Sequence, residues 1–344
     1  MSGACAGWPG RDQLRDGLCC RNVFGVMDEV LTQVQVPLGA LERRLERELV
    51  SEVEFIQLIA HDIVAAGGKR LRPAVVFLSA RALGGSVDGE MELALAAELL
   101  HTATLLHDDL IDDAETRRGQ VAAYRRFGNG VSVLSGDFLL SRVLGLLATL
   151  NRQEITQLFA DTALKICEGE VLQFQIAQRG DYTVGNYLEV ITRKTAVLLR
   201  ACSLGAAQLA GAPAEVRDAL ERFGLDYGRA FQVQDDLLDV IGDPGVTGKP
   251  IGTDVREGKA TLPVLYLLED GVEEAREILE RRGARPGDAE RMREIALGSS
   301  AVARVREMTE QLTVSACNAL RILPPSPARR ALEDLAMRAS ERVA

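Results

Sequence analysis

Residues 86–119 read SVDGEMELALAAELLHTATLLHDDLIDDAETRRG, and this stretch decides the fold class. Leu93, Ala96, Ala97, Leu100, Thr104 and His107 recur at three- and four-residue spacing and fall on one broad face, the period of an amphipathic helix. The tail of the same segment runs straight into aspartates. A buried helix is therefore delivering charge to a site.

The pattern continues on both sides. From about residue 24 onward apolar residues keep the helical period, Ala, Leu, Glu and Arg are prominent, and alternating β-branched runs are almost absent. Gly/Pro clusters break the pattern at 67–73, 119–130, 180–185, 211–213, 242–252 and 283–287, and none has the length of an interdomain linker. The expectation is an all-α chain with one helical domain over 24–344. Residues 1–23 are expected to be a disordered extension, since they lack the apolar run of a secretory signal.

Composition narrows the function classes. At 344 residues, 47% of them hydrophobic, the chain has ample material for a buried core. A net charge of −10, with no long basic run, argues against a nucleic-acid partner. The cysteines at 5, 19, 20, 167, 202 and 317 show no CxxC spacing, which points to a reducing compartment, and the lack of an export signal sets the expectation of a cytoplasmic location. The most apolar stretch, 131–150, is interrupted by Asp137 and Arg142, so no membrane span is expected.

One short acidic pattern occurs twice. HDDLIDD carries Asp108, Asp109, Asp112 and Asp113, and QDDLLD carries Asp235, Asp236 and Asp239. On a helix the i, i+4 spacing stacks Asp108 with Asp112 and Asp235 with Asp239, each pair forming an acidic ledge. Like charges so placed oppose the helix by about 0.2–0.5 kcal/mol per pair. A single DDxxD is most often a solvated helix face, but two copies framed by similar apolar residues call for cations. Oxygen-only ligation suits Mg²⁺, which keeps some of its waters and bridges carboxylates to phosphate oxygens.

Cations accompany both ledges. Thr116-Arg117-Arg118-Gly119 follows the first, and guanidiniums there can meet phosphate oxygens bidentately. Upstream, Gly67-Gly68-Lys69-Arg70-Leu71-Arg72-Pro73 offers a second anion site, although it lacks the Walker A spacing. His101 lies about two turns before Asp108 on roughly the same face. Lys194-Thr195, Phe231-Gln232, Gly248-Lys249 and Gly258-Lys259 surround the second ledge in sequence.

Taken together, GGKRLRP (67–73), ELLHTATLLHDDLIDDAETRRG (98–119), GDFLL (136–140), RKTAVLL (193–199), FQVQDDLLD (231–239) and GKPIGTDVREGKATLP (248–263) stand in the order of the trans-isoprenyl diphosphate synthases, which the chain resembles from about residue 28 to its end. The resemblance implies a single bundle of antiparallel helices around a deep central cavity, an isoprenoid synthase-like fold, and usually a homodimer. It implies that Asp108, Asp112 and Asp235 hold Mg²⁺ on an allylic diphosphate, with Asp109, Asp236 and Asp239 supporting. Lys69, Arg72, His101 and Arg118 would bind isopentenyl diphosphate. Arg117, Lys194, Thr195, Gln232 and Lys249 would hold the allylic diphosphate, Lys194 also taking part in catalysis, with Lys259 a weaker candidate.

The chemistry of the residues agrees. Diphosphate leaves an allylic carbon when fixed positive charge stabilises it, and the double bond of isopentenyl diphosphate then attacks the cation, so no protein nucleophile is needed. An apolar cavity would keep water from that cation. Ala103 and Thr104 lie about one turn before Asp108. In the resembled family a bulky aromatic here shortens the product, so these small residues imply a product of hexaprenyl to decaprenyl length, a quinone side-chain precursor.

Departures from the family pattern are Ala123 and Phe127, where Asn and Trp are common, and Thr253 in place of a frequent Asn. They bear on the subfamily and leave the metal carboxylates untouched. The alternatives are a short-chain farnesyl or geranylgeranyl synthase, a cyclising lyase without need of Lys69, Arg72 and His101, and a non-catalytic subunit of a heteromeric synthase. A long product would allow peripheral contact with a membrane.

Overall fold

A computed structural model describes residues 31–65, 68–117, 120–242 and 251–341. The N-terminal extension expected over 1–23, and Gly67, Arg118, Gly119, Gly248 and Lys249, lie outside these described residues.

The architecture is all-α, as the periodicity predicts. Helices α1 (Gln35–Glu48), α2 (Glu54–Ala65), α3 (Leu71–Ala82) and α4 (Glu90–Ile111) lead to a small antiparallel ribbon of β1 (Thr116–Arg117) and β2 (Gln120–Val121). There follow α5 (Ala123–Phe127), α6 (Asn129–Thr149), α7 (Gln153–Arg179), α8 (Val184–Ile191), a π-helical turn Thr192–Ala196, α9 (Val197–Leu209) and α10 (Ala214–Ile241). The chain closes with α11 (Thr253–Arg256), α12 (Leu262–Glu269), α13 (Glu273–Glu280), α14 (Asp288–Leu297), α15 (Ala301–Ala319) and α16 (Pro327–Glu341).

Two apolar cores share two long helices. The larger gathers α1, α3, α4, α6, α7, α9, the first half of α10, the end of α15 and α16 around Phe77, Leu95, Leu99, Phe159 and Leu199. The smaller joins α8, the second half of α10, α12, α13, α14 and the start of α15 around Val233, Leu237, Leu265 and Ile278. Helix α10 runs through both, and its C-terminal turns, with Leu237, Val240 and Ile241, are anchored in the smaller core.

Close packing sets where α10 stands. A Cβ on Gly224 would lie 2.6 Å from the Arg200 Cα, and one on Gly228 2.6 Å from the Ala196 Cα. Any larger residue at either position would push the helices apart, so these glycines bring α10 directly onto α9 and the π-helical turn.

Among the described residues one helix, α6, is long and apolar enough to cross a membrane by length and composition, and 39% of its most apolar window is buried. It packs along α4 with Leu139, Val143, Leu146 and Leu147 in the larger core.

Candidate active site

Both acidic motifs end helices. Asp108 lies in the last turn of α4, which stops at Ile111, and Asp112 forms its C-terminal cap. Asp235, Asp236 and Asp239 occupy the last two turns of α10. A helix C-terminus carries the negative end of the backbone dipole, so carboxylates there are disfavoured until cations arrive.

The ledge predicted at Asp108 and Asp112 forms, with its neighbours divided from it. Asp109 is buried and binds Arg117 through that residue's Nε and Nη2, with the Nε contact at 2.6 Å. Burial works against the Arg117 charge, but Asp109 outweighs it and raises the guanidinium pKa. Asp113 turns outward to Arg125 (2.8 Å) and to the Tyr124 hydroxyl (2.8 Å).

Asp108 itself is pushed up to about 6, chiefly by burial, with Glu170 and Asp112 adding to the rise and Lys194 and Lys259 opposing it. Lys259 reaches across from the segment after α11 and donates to Asp112 Oδ2 at 3.0 Å and to Glu257 at 2.5 Å. Burial opposes its charge, yet Glu257 and Asp112 hold the ammonium above the usual lysine range.

The second motif is divided in the same way. Asp236 is buried and accepts from the Tyr187 hydroxyl (2.7 Å) and from Gln232 Nε2 (2.7 Å), while the Thr195 hydroxyl donates to Gln232 Oε1 (2.9 Å). A chain of hydrogen bonds thus links the π-helical turn to the acidic helix. Burial lifts Asp236 to about 7 despite the Tyr187 and Gln232 bonds. Asp239 is also raised by burial, although the backbone N–H groups of Thr253 and Asp254 donate to it at 3.1 Å each. Asp254 is raised well above its ordinary value by burial and by Asp236 and Asp239.

One cleft collects much of this chemistry. Asp112, Lys194, Thr195, Gln232, Asp236, Asp254 and Lys259 line its polar side, and Phe174, Val190, Ile191 and Leu265 its apolar side. Lys194 and Thr195 enter it from the π-helical turn, a widening of the helix often found at functional positions. No three His, Cys, Asp or Glu side chains among the described residues converge closely enough to hold a metal ion alone. The oxygen-only donors and raised acid pKa values suit a hard divalent ion that takes its remaining ligands from water and a diphosphate.

A second basic group stands apart from that cleft. Lys69 is exposed, whereas Arg70 has a left-handed backbone (φ 46°) and is buried. Its guanidinium clamps Glu42 on α1 (2.6 and 3.1 Å) and Glu98 on α4 (2.7 Å). Arg72, in the first turn of α3, has its pKa lowered by burial against the pull of Glu98, Cys202 and Tyr227. Its Nε and the second oxygen of Glu98 are both buried without hydrogen-bond partners. His101 is partly buried, and its backbone carbonyl accepts from the Thr104 hydroxyl at 2.8 Å. Ala103 is fully buried in the larger core.

Sequence reasoning passed over Tyr187, Asp254, Glu170, Glu98 and Arg70. Arg70 carried a signal, since it stands between Lys69 and Arg72, and Asp254 lies five residues before Lys259 in a quoted motif. Tyr187 and Glu170 gave none, because their partners are distant in sequence.

Comparison with known proteins shows what shares this arrangement. The sequence pattern of the polyprenyl synthetase family matches residues 53–296. The all-trans-nonaprenyl-diphosphate synthase (geranyl-diphosphate specific) of Rhodobacter capsulatus is 37% identical over 318 residues, 92% of this chain and 98% of that protein. The octaprenyl diphosphate synthase of Escherichia coli strain K12 is 37% identical over 89% of this chain and 95% of its own length. The crystal structure of a polyprenyl synthase from Caulobacter crescentus CB15, complexed with calcium and isoprenyl diphosphate, superposes with a TM-score of 0.87 at 37% identity, covering 93% of this chain and 99% of that one.

Proposed function

The chain belongs to the polyprenyl synthetase family of trans-prenyltransferases, and from that premise we propose that it condenses isopentenyl diphosphate head-to-tail with an allylic prenyl diphosphate to give an all-trans product of about C30–C50. The observation that carries the reading is the meeting of Asp112, Asp236, Lys194 and Lys259 around one cleft beneath two DDxxD motifs. The lengths named for the nonaprenyl and octaprenyl relatives, and the small side chains of Ala103 and Thr104, support a long product.

The residues divide into two groups. Lys194, Thr195, Gln232, Lys259, Arg117 and Lys249 bind the allylic diphosphate. Lys69, Arg72, His101 and Arg118 bind isopentenyl diphosphate. Asp108, Asp112 and Asp235 would hold Mg²⁺, with Asp109, Asp236 and Asp239 fixing their surroundings. The calcium and isoprenyl diphosphate in the Caulobacter relative support a divalent ion in this role. When bound, the metal supplies positive charge to the departing diphosphate.

The remaining chemistry falls to the side chains. Lys194 and Lys259 stabilise the charge that grows on the leaving oxygen as the allylic C1–O bond breaks. Phe174, Val190, Ile191 and Leu265 keep water away while the C3–C4 double bond of isopentenyl diphosphate forms the new C–C bond. The proton lost from C2 passes to the released diphosphate, so no protein base is required.

Exposed Leu134 and Leu144 on α6 with Leu164 and Val171 on α7 suit burial in a homodimer, in the cytoplasm. The test is incorporation of labelled isopentenyl diphosphate with Mg²⁺ and a farnesyl or geranylgeranyl primer. Incorporation lost with EDTA or in Asp108→Ala is expected. Cyclised product without isopentenyl diphosphate consumption would identify a lyase, and no incorporation with any primer would point to a non-catalytic subunit.

A further inference from the structure

Two glutamates on α7 flank a glycine and grip two adjacent cations of the π-helical turn. Glu168 Oε2 lies 2.6 Å from Arg193 Nη1, and Glu170 Oε2 lies 2.5 Å from Lys194 Nζ. Between them Gly169 lets α7 touch the backbone of the turn. A Cβ there would stand 2.8 Å from Arg193 Cβ and 2.9 Å from the Lys194 nitrogen, closer than folded chains allow.

Lys194 lines the cleft, and Glu170 is the carboxylate paired with it. Lys194 is among the residues lining the cleft, whereas Glu170 is not. The Glu170 side chain is only 12% exposed, and its second carboxylate oxygen is buried with no hydrogen-bond partner. Lys194 is thus the cation paired with that carboxylate, whose charge Asp108 also feels. An ammonium on a four-carbon stem samples many rotamers unless something holds it.

We propose that Glu170 is a positioning residue that holds the Lys194 ammonium where the allylic diphosphate is to sit, with Glu168 and Gly169 fixing the turn that carries it. The inference rests on the reading that Lys194 binds that diphosphate. Lys69, Arg72 and His101 stand on other elements and do not depend on this clamp, so the effect of removing it is confined to one substrate.

The test is a double-mutant cycle of wild type, Glu170→Ala, Lys194→Ala and the double variant, with KM measured for farnesyl diphosphate and for isopentenyl diphosphate, alongside kcat and Tm. Glu170→Ala is expected to raise the KM for farnesyl diphosphate by about five- to tenfold, leave that for isopentenyl diphosphate within about twofold, and add nothing to Lys194→Ala. Glu170→Gln, which keeps an acceptor oxygen and the same shape, is expected to recover part of the loss, and Gly169→Ala to reproduce its direction. An unchanged farnesyl KM in both Glu170 variants, with a raised one in Lys194→Ala, would overturn the inference and leave the role of Lys194 standing. An unchanged farnesyl KM in Lys194→Ala would overturn that role and the inference with it. An equal rise of both KM values in Glu170→Gln, with a lowered Tm, would assign Glu170 a purely structural part and overturn the inference.

Discussion

Lys259 Nζ lies 3.0 Å from Asp112 Oδ2, so a cation from beyond the second acidic motif closes on the carboxylate that ends the first. The two motifs are 123 residues apart from Asp112 to Asp235, and this contact ties their surroundings together. Both side chains are largely buried, at 17% and 15% exposure, so the pair is weakly screened.

Removing that cation leaves Asp112 and Glu257 uncompensated. Lys259→Met is expected to destabilise the protein by about 1–3 kcal/mol in EDTA and by less in Mg²⁺, since a bound ion restores the missing positive charge. Urea unfolding under the two conditions checks this. Equal losses in both would contradict it.

Protonation of the ledges sets a pH dependence. Burial raises Asp108 to about 6 and Asp236 to about 7, so the folded state holds protons that the unfolded chain releases near pH 4. The stability these groups contribute is full below their unfolded pKa and is lost as pH rises through the folded values. In EDTA the Tm is therefore expected to fall between about pH 4 and about pH 7, with a shallower slope in Asp108→Asn. Mg²⁺ affinity is expected to run the other way and weaken below about pH 6, because ligands must be deprotonated.

The contact of α10 with the π-helical turn gives a packing prediction. Gly228→Ala places a methyl 2.6 Å from the Ala196 Cα and 2.9 Å from its Cβ. The expected cost is about 1–3 kcal/mol, with a fall in activity as Gln232 moves away from the Thr195 hydroxyl. Chemical denaturation and turnover of the variant read the two effects separately.

Product length should respond to bulk under the first ledge. Thr104→Phe, at a partly buried position one turn from Asp108, is expected to shorten the main product by at least two isoprene units while incorporation continues. Ala103→Phe is expected to shorten it too, at an added cost of about 1–3 kcal/mol, because Ala103 has no exposed surface. Chromatography of the dephosphorylated products distinguishes these from wild type.

Much of the fold was legible because helical periodicity is a local signal. The run from Leu93 to His107 predicted α4, and the breaks at 180–185 and 211–213 fall at helix ends in the structure. The paired aspartates were legible for the same reason, as was the placement of Lys194, Thr195 and Gln232 beside the second motif. The division of labour within each motif was not. Asp109 is taken up by Arg117 and Asp236 by Tyr187, and those pairings depend on where β1 and α8 come to rest. The sharing of α10 between two cores was hidden too, since its apolar face reads the same along its length. Lys259 ranked low as a candidate because nothing in its own segment revealed that Asp112 lay 3.0 Å away.

The most direct measurement is the length distribution of the product made by the purified protein from labelled isopentenyl diphosphate, a farnesyl or geranylgeranyl primer and Mg²⁺. The account predicts a ladder that ends at about six to ten isoprene units and vanishes with EDTA and in Asp108→Ala. A main product of three or four units, unchanged by more isopentenyl diphosphate, would contradict the long-chain assignment.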